Sequence, residues 1–313
     1  MKMEEFNYLS ANGKTNIHAV KWTTDKKILG VIQVAHGVTE YILRYKEFAE
    51  FFTSLGFIVV GNDHLGHGKS LIDNSEKMYC GPTGSWKYIV EDIHTLTQKT
   101  KEEYPNVPYI LLGFSLGSFA VRDYLQKYHK EIDGTILIGT GYNNPLILKL
   151  LLKLVNNEAK KNNEKQSTPL IHKLTFETYN QKFKPNRTEY DWLCANNIEL
   201  DKYINDPNRG NDFSIGLFRE LLCSMISTCN KSLINNIEKD IPVLLISGGS
   251  DPVGNNGYGV KKVYKLYKKA NISDVTLKIY PNLRHDILRE TNSKDIMKYI
   301  YNWIKEKFKL QDI

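Results

Sequence analysis

The residues best placed to do chemistry are Gly113-Phe114-Ser115-Leu116-Gly117, which close the apolar run Tyr109-Ile110-Leu111-Leu112 and open the amphipathic stretch 118–128. A nucleophile elbow requires strand, sharp turn and helix with a serine at the tip. The serine backbone is strained there, and only small residues two places away on each side let strand and helix approach closely. The turn sets the hydroxyl beside the first amides of the helix, where developing negative charge is favoured. With glycine and serine at ordinary frequencies, the bare pattern arises by chance in roughly one chain of this length in ten. The strand before it and the helix after it therefore carry the inference. The chemistry they imply is attack by a serine hydroxyl on an acyl carbon.

A serine hydroxyl is a weak nucleophile without a base, and the base needs an orienting acid. The expected chain order is Ser, acid, His, each at the carboxyl end of a strand. Asp251 directly follows Leu244-Leu245-Ile246-Ser247-Gly248-Gly249-Ser250, and His285 follows the last strand-like run through Tyr280 and Arg284. The competitors fit less well. Asp133 sits at the amino end of its strand, and Asp286 is too close in sequence to orient His285. His18, in an early edge strand, and His94 and His129, on helical segments, read as satisfied surface histidines. The oxyanion needs two preformed donors. The backbone N–H of Leu116 supplies one, and Val38, in the loop Ala35-His36-Gly37-Val38-Thr39-Glu40, supplies the other, with His36-Gly37 shaping that loop. The stretch 63–70 ends in Gly-Lys-Ser like a phosphate loop, but Asp63 stands where the first glycine is required. His64 and His67 lack a third ligand at metal spacing. This stretch reads as a structural turn, and neither metal nor cofactor is expected.

These groups must be positioned by a framework. Short apolar runs at 29–35, 57–61, 109–114, 135–139, 243–247 and 275–280 alternate with helical patterns at 45–55, 86–104, 118–129, 259–270 and 293–310. That rhythm means an α/β chain with a mostly parallel sheet covered on both faces, and two early strands paired antiparallel at one edge. Ligands of such sheets bind beyond the carboxyl ends of the strands. The interval 142–230 contains no strand-like run and reads as a helical cap, leaving 1–141 and 231–313 as the core. The first cap helix, 146–155, is apolar nearly all round except for Lys149 and Lys153. Its Leu146 and Leu150, with Phe114, are the candidate substrate-pocket residues, and the same helix is a candidate for transient contact with a membrane surface.

At 313 residues, 41% hydrophobic and 25% charged, the chain suits one large domain with an inserted subdomain. The net charge of +7 comes mostly from dispersed lysines without an aromatic-basic patch, so nucleic-acid binding is not expected. Mild attraction to anionic lipid surfaces is compatible with it. Cys80, Cys194, Cys223 and Cys229 have no metal or disulfide spacing and read as reduced thiols of a cytoplasmic protein. The first residues carry no apolar secretory stretch, and the run 145–155 is too short to span a membrane. Nothing in the sequence fixes an oligomeric state.

The ordered motifs resemble the monoacylglycerol lipase / lysophospholipase branch of the α/β-hydrolases, grouped by sequence with serine aminopeptidases. They are H-G-x-x-E at 36–40, D-x-x-G-H-G-x-S at 63–70, G-x-S-x-G at 113–117, G-x-x-D-P at 248–252 and the segment from Tyr280 to His285. Within the cap, 175–180, 187–193 and Asp206-Pro207 look like a bacterial subset of that family. Phe114 stands where many relatives carry His, and Leu65 where Arg is common. The resemblance implies an eight-stranded α/β-hydrolase core, Ser115 as nucleophile, His285 as base, Asp251 as its orienting acid, and a lipid or other ester as small-molecule substrate. A small-ester carboxylesterase, a thioesterase or peptidase, or a non-catalytic ligand binder on the same fold are the alternative expectations.

Overall fold

The computed structural model describes residues 1–311; positions 312 and 313, the end of the expected second core segment, lie outside the described residues. Eight strands form one sheet: β1 (Lys2–Leu9), β2 (Asn16–Thr23), β3 (Gly30–Ala35), β4 (Phe57–Asn62), β5 (Tyr109–Phe114), β6 (Gly134–Ile138), β7 (Val243–Gly248) and β8 (Val275–Tyr280). Their order is β1-β2-β4-β3-β5-β6-β7-β8. β3 to β8 run parallel, whereas β2 lies antiparallel to both β1 and β4.

The apolar runs make strands because both faces of the sheet are covered. β3 to β7 are buried at every residue, so continuous Val, Ile and Leu replace the alternation of a half-exposed strand. The alternation survives as a choice between two cores. In β5, Ile110, Leu112 and Phe114 join α1 (Lys46–Ser54) and the last long helix, while Tyr109 and Leu111 join α2 (Trp86–Glu103) and α3 (Leu116–Tyr128). β1 is mostly exposed and carries Lys2, Glu4 and Glu5, charges that blunt an open sheet edge.

The edge reading of His18 is corrected by this order. β1 covers β2, so His18 is buried, with Nδ1 2.8 Å from Asp63 Oδ2 and Nε2 2.8 Å from Glu5 Oε2. Burial works against its charged form, but the two carboxylates outweigh it and the pKa is raised. His94 and His129 are half-buried on or beside helices, with His94 stacked on Tyr128.

Between β6 and β7 the described chain forms only helices and turns, chiefly α4 (Pro145–Ala159), α5 (Asn197–Ile204) and α6 (Ile215–Ser227). α4 opens with Asn144 as N-cap, its side chain accepting from the Leu146 N–H, and with Pro145 in the first turn. α4 packs on α6. After β7 come α7 (Tyr258–Lys269) and α8 (Ser293–Lys307), the latter closing the α1 face of the sheet with Ile296, Ile300 and Ile304.

Arg122, buried in α3, ties this helical insertion to the sheet. Its Nη1 donates to Gly141 O at 2.8 Å and Thr140 Oγ1 at 3.3 Å, and Nη2 donates to Thr228 O at 2.9 Å. Charge-assisted bonds to the two ends of the insertion leave carbonyls unpaired if the guanidinium is removed. Arg122→Ala is expected to lower unfolding free energy by roughly 3 kcal/mol in urea melts, and Arg122→Lys to recover only part of it because an ammonium is not a fork.

Candidate active site

Ser115 sits between β5 and α3 with φ 51° and ψ −117°, a strained conformation for a residue with a side chain. It is locked by Ser115 N–H donating to Ile138 O at 3.0 Å, and by Ser118 N–H and Oγ–H donating to Ser115 O at 2.9 and 2.6 Å. The flanking glycines have no room for anything larger. A Cβ on Gly117 would lie 2.0 Å from the carbonyl oxygen of Ala35, and one on Gly113 would lie 2.5 Å from Gly117 O. The spacing of the motif is thus dictated by how closely β3, β5 and α3 meet.

Asp251 lies just past the end of β7, buried, accepting from Val253 N–H at 2.8 Å and Ser247 Oγ–H at 3.2 Å. His285, in the loop after β8, has Nδ1 2.9 Å from Asp251 Oδ1. A carboxylate only accepts, so Nδ1 carries the hydrogen and the neutral ring presents Nε2 as an acceptor. That Nε2 is buried without a protein hydrogen-bond partner. The ring is held between Phe114 and Trp192, with centroids 4.9 and 5.1 Å away. Gly139, at φ 61°, makes space for it, since a Cβ there would lie 2.9 Å from His285 Cε1.

Ser115 and His285 line one cavity together with Val38, Phe114, Trp192 and Tyr203. Its free volume is about 20 Å³, room for a water molecule. Its lining is rich in charge, with Glu40, Arg44, Glu199, Asp286 and Arg289. Arg44 pairs with Glu40 at 3.4 Å, and Arg289 reaches Glu199 of α5 at 3.8 Å. Burial pushes the Asp286 carboxyl up to about 6, against the pull of the nearby Arg289 and Arg44. Of the residues expected from sequence, the structure brings together Ser115, His285, Asp251, Val38 and Phe114, with Leu116 as the first residue of α3.

Leu146 and Leu150 are a correction. They do not line the cavity but are 70% and 67% exposed. α4 turns Leu148 and Val155 inward, and the side of the helix bearing Leu146 and Leu150 has no partner among the described residues. Near-uniform apolarity could not tell these faces apart.

The loop from His36 to Glu40 is built to aim one amide. His36 Nδ1–H donates to Gly37 O at 2.7 Å, and His36 Nε2 accepts from His64 N–H at 3.0 Å. In a trans peptide the N–H opposes the C=O. Fixing Gly37 O therefore fixes the Val38 N–H, which finds no protein acceptor among the described residues. Gly37 N–H is taken by Glu40 Oε1 at 2.5 Å, which also accepts from Tyr45 Oη–H at 2.9 Å. The Leu116 N–H, in the first turn of α3, has no intrahelical acceptor.

The stretch 63–70 is a turn that supports this loop. Asp63 accepts from Ile42 N–H at 2.7 Å and Lys69 N–H at 2.8 Å, and Gly68 leaves no room for a Cβ beside its carboxylate. His64 lies tilted against His36 and His67 edge-on to it, with centroids 4.1 and 5.3 Å away. Among the described residues no group of His, Cys, Asp or Glu side chains is arranged to hold a metal ion.

Residues 190–210 contributed most of what sequence reasoning missed. Trp192 O and Leu193 O accept from His285 N–H and Asp286 N–H at 3.3 and 2.6 Å, so the histidine loop is bound to the insertion. Glu290 joins the two segments, accepting from Ala195 N–H at 3.1 Å and Arg284 N–H at 3.0 Å. No periodic or motif signal marks these contacts. Glu40, in contrast, was visible as the last residue of H-G-x-x-E.

Burial, then repulsion from neighbouring histidines, holds His36 and His64 well below the usual imidazole range, and burial holds His67 at about 4. The unfolded chain binds protons at these sites from about pH 6.5 downward while the folded chain does not. Each therefore removes stability as pH falls through that window, for His67 down to about 4. All three imidazoles are expected to remain neutral at pH 6 in the folded protein; an NMR titration of their Cε1–H signals with midpoints near 6.5 would contradict this. Gly117→Ala, which drives a methyl into the Ala35 carbonyl, is expected to lower the melting temperature by several degrees and to abolish activity.

Comparison with known proteins follows the same geometry. Residues 26–292 match the family model described as serine aminopeptidase, S33. The chain is 28% identical over 290 residues to the monoglyceride lipase homolog of Monkeypox virus, covering 89% of this chain and 90% of that protein. It is 25% identical over 312 residues to the monoacylglycerol lipase of Mycolicibacterium smegmatis, covering 96% of each. A thermostable carboxyl esterase from Bacillus coagulans, solved in complex with glycerol, superposes with a TM-score of 0.89 at 28% identity, covering 98% of this chain and 99% of that one. With its eight-stranded sheet, these relatives and a family match across most of its length, the chain has the α/β-hydrolase fold and belongs to the serine aminopeptidase S33 family of hydrolases.

Proposed function

We propose that the protein hydrolyses carboxylic esters through a serine acyl-enzyme, and that its substrates are lipid esters of the monoacylglycerol or lysophospholipid kind. The observation that carries this reading is that Ser115 and His285 line one cavity, with the His285 Nε2 buried and unpartnered and Asp251 holding the opposite nitrogen. Nε2 takes the proton as Ser115 Oγ attacks the ester carbonyl. The N–H groups of Val38 and Leu116 receive the oxyanion, and His285 returns the proton to the leaving alcohol. Water, activated by the same nitrogen, then releases the acid. Asp251 stabilises the imidazolium formed in each half-reaction.

The chemical class of the substrate is supported by the curated relatives, named monoglyceride and monoacylglycerol lipases. The cavity itself supports a hydroxylated head group. Glu40, Arg44, Glu199, Asp286 and Arg289 in its lining offer donors and acceptors, while Phe114, Leu193 and Leu200 add hydrocarbon. In this reading 142–230 is the cap. A small-ester carboxylesterase is the second reading, favoured by the likeness to the Bacillus coagulans carboxyl esterase.

The outer face of α4 supports contact with the lipid phase. Leu146, Ile147, Leu150 and Leu154 are all exposed on one side of the helix, in the same stretch as Lys149 and Lys153. No helix among the described residues is long and apolar enough to cross a membrane. Such a helix lies in the interface, apolar side down.

Ser115→Ala is expected to abolish hydrolysis of p-nitrophenyl esters, and wild-type protein to be labelled by a fluorophosphonate while the variant is not. Activity at the wild-type rate in Ser115→Ala sinks the serine mechanism. Across an acyl-length series, kcat/KM is expected to rise toward long chains; a maximum at acetate or butyrate selects the carboxylesterase reading. Leu150→Glu is expected to reduce co-sedimentation with anionic vesicles without changing hydrolysis of a water-soluble ester, and unchanged co-sedimentation removes α4 as the docking surface.

A further inference from the structure

Thr39 is a β-branched residue at φ 61°, a strained backbone conformation that such residues seldom adopt. It directly follows Val38, whose N–H is the proposed oxyanion donor. Strain of this kind persists only where neighbours over-determine it, and here they come from the insertion. Thr39 Oγ1 lies 2.6 Å from Val38 O and 2.7 Å from Tyr203 Oη. The carbonyl only accepts, so the threonine hydroxyl donates to it and in turn accepts from the tyrosine hydroxyl. Gly210 N–H donates to Thr39 O at 3.2 Å, and a Cβ on Gly210 would lie 2.1 Å from Met78 Sδ.

Tyr203 is itself rigid. It is buried on α5, with the guanidiniums of Arg44 and Arg209 5.0 and 5.1 Å from its ring centroid and the ring of Tyr190 edge-on at 5.5 Å. Two further contacts run in parallel, from Tyr41 Oη–H to Asp206 Oδ2 at 2.8 Å and from Arg44 to the same carboxylate at 3.7 Å. The loop that carries Val38 is thus fixed from both ends, by His36 on the core side and by Tyr203 on the insertion side.

We infer that Tyr203 is a positioning residue for the oxyanion donor: through the Thr39 hydroxyl it holds the Val38–Thr39 peptide in its strained setting, so that the Val38 N–H faces Ser115. This rests on the serine mechanism proposed above. The strap spans insertion and core, so it is complete only when the 199–210 segment is seated over the cavity. Oxyanion stabilisation and closure over substrate are then one event.

Without the tyrosine hydroxyl, Thr39 relaxes toward negative φ, the Val38–Thr39 peptide turns, and the change passes back through the Val38 backbone to loosen the setting of the N–H on the preceding peptide. Tyr203→Phe and Thr39→Val are each expected to lower kcat on p-nitrophenyl butyrate roughly ten-fold with KM changed less than two-fold, and the pair together to do no more than either alone. Glycine adopts positive φ without strain. Thr39→Gly is therefore expected to keep near-wild-type kcat and, combined with Tyr203→Phe, to restore most of the lost turnover. Melting temperatures identify any variant that simply fails to fold, and Thr39→Val then carries the test on its own. The inference is overturned if folded Tyr203→Phe and Thr39→Val both keep wild-type kcat, or if Thr39→Gly gives no rescue. The Ser115→Ala control separates the two ideas: activity surviving there defeats the mechanism, whereas an inert Ser115→Ala beside a fully active Tyr203→Phe defeats only the strap.

Discussion

Backbone meets backbone at the Ser115 turn with no side chain between, and the rest of the site is arranged around that contact. Gly117 lies against Ala35 and His36, and Gly113 against the first turn of α3. Because β3 is the strand beside β5, the same closeness that exposes the serine also delivers the loop after β3 to its side. One neighbour further on, the end of β6 yields Gly139, and the loops after β7 and β8 bring Asp251 and His285. A parallel sheet places all these loops at one rim. The constraint is steric first and chemical second.

Around this rim the charges are managed rather than avoided. The imidazoles that build the Val38 loop are kept neutral by burial and by one another, so that the loop's hydrogen bonds keep one donor pattern. In the cavity lining, two arginines and three carboxylates, Glu40, Glu199 and Asp286, share a small volume. The pairing of the arginines with Glu199 and Asp206 makes this lining a join between core and insertion as well as a surface for ligand.

The sequence was most legible where periodicity and turn chemistry act together. Ser115 and Asp251 each follow an apolar run that makes a buried strand, His285 follows the half-buried run of β8, and Val38 sits in a loop that also holds a glycine and a glutamate. It was least legible where a decision depends on packing partners. His18 looked like an edge residue because strand order cannot be read from strand existence. α4 is apolar on nearly every side, so nothing in it said that Leu148 would turn inward and Leu150 outward. Trp192 lies in a turn and Tyr203 on a short helix, and the resemblance of 187–193 to the family does not say which residues they meet. Their contacts with the His285 loop and with Thr39 span 93 residues, from Trp192 to His285, and 164, from Thr39 to Tyr203. Separations of that kind leave no local pattern.

The backbone bonds from Trp192 and Leu193 to the histidine loop have a bearing on how such a chain diversifies. An insertion that merely covered a finished site could be exchanged between relatives as a module, carrying substrate preference with it. Here the insertion supplies acceptors for the amides of His285 and Asp286, so part of the machinery is inherited with the cover. A transplanted insertion must arrive with its carbonyls in register, or the His285 loop of the host loses two of its main-chain acceptors.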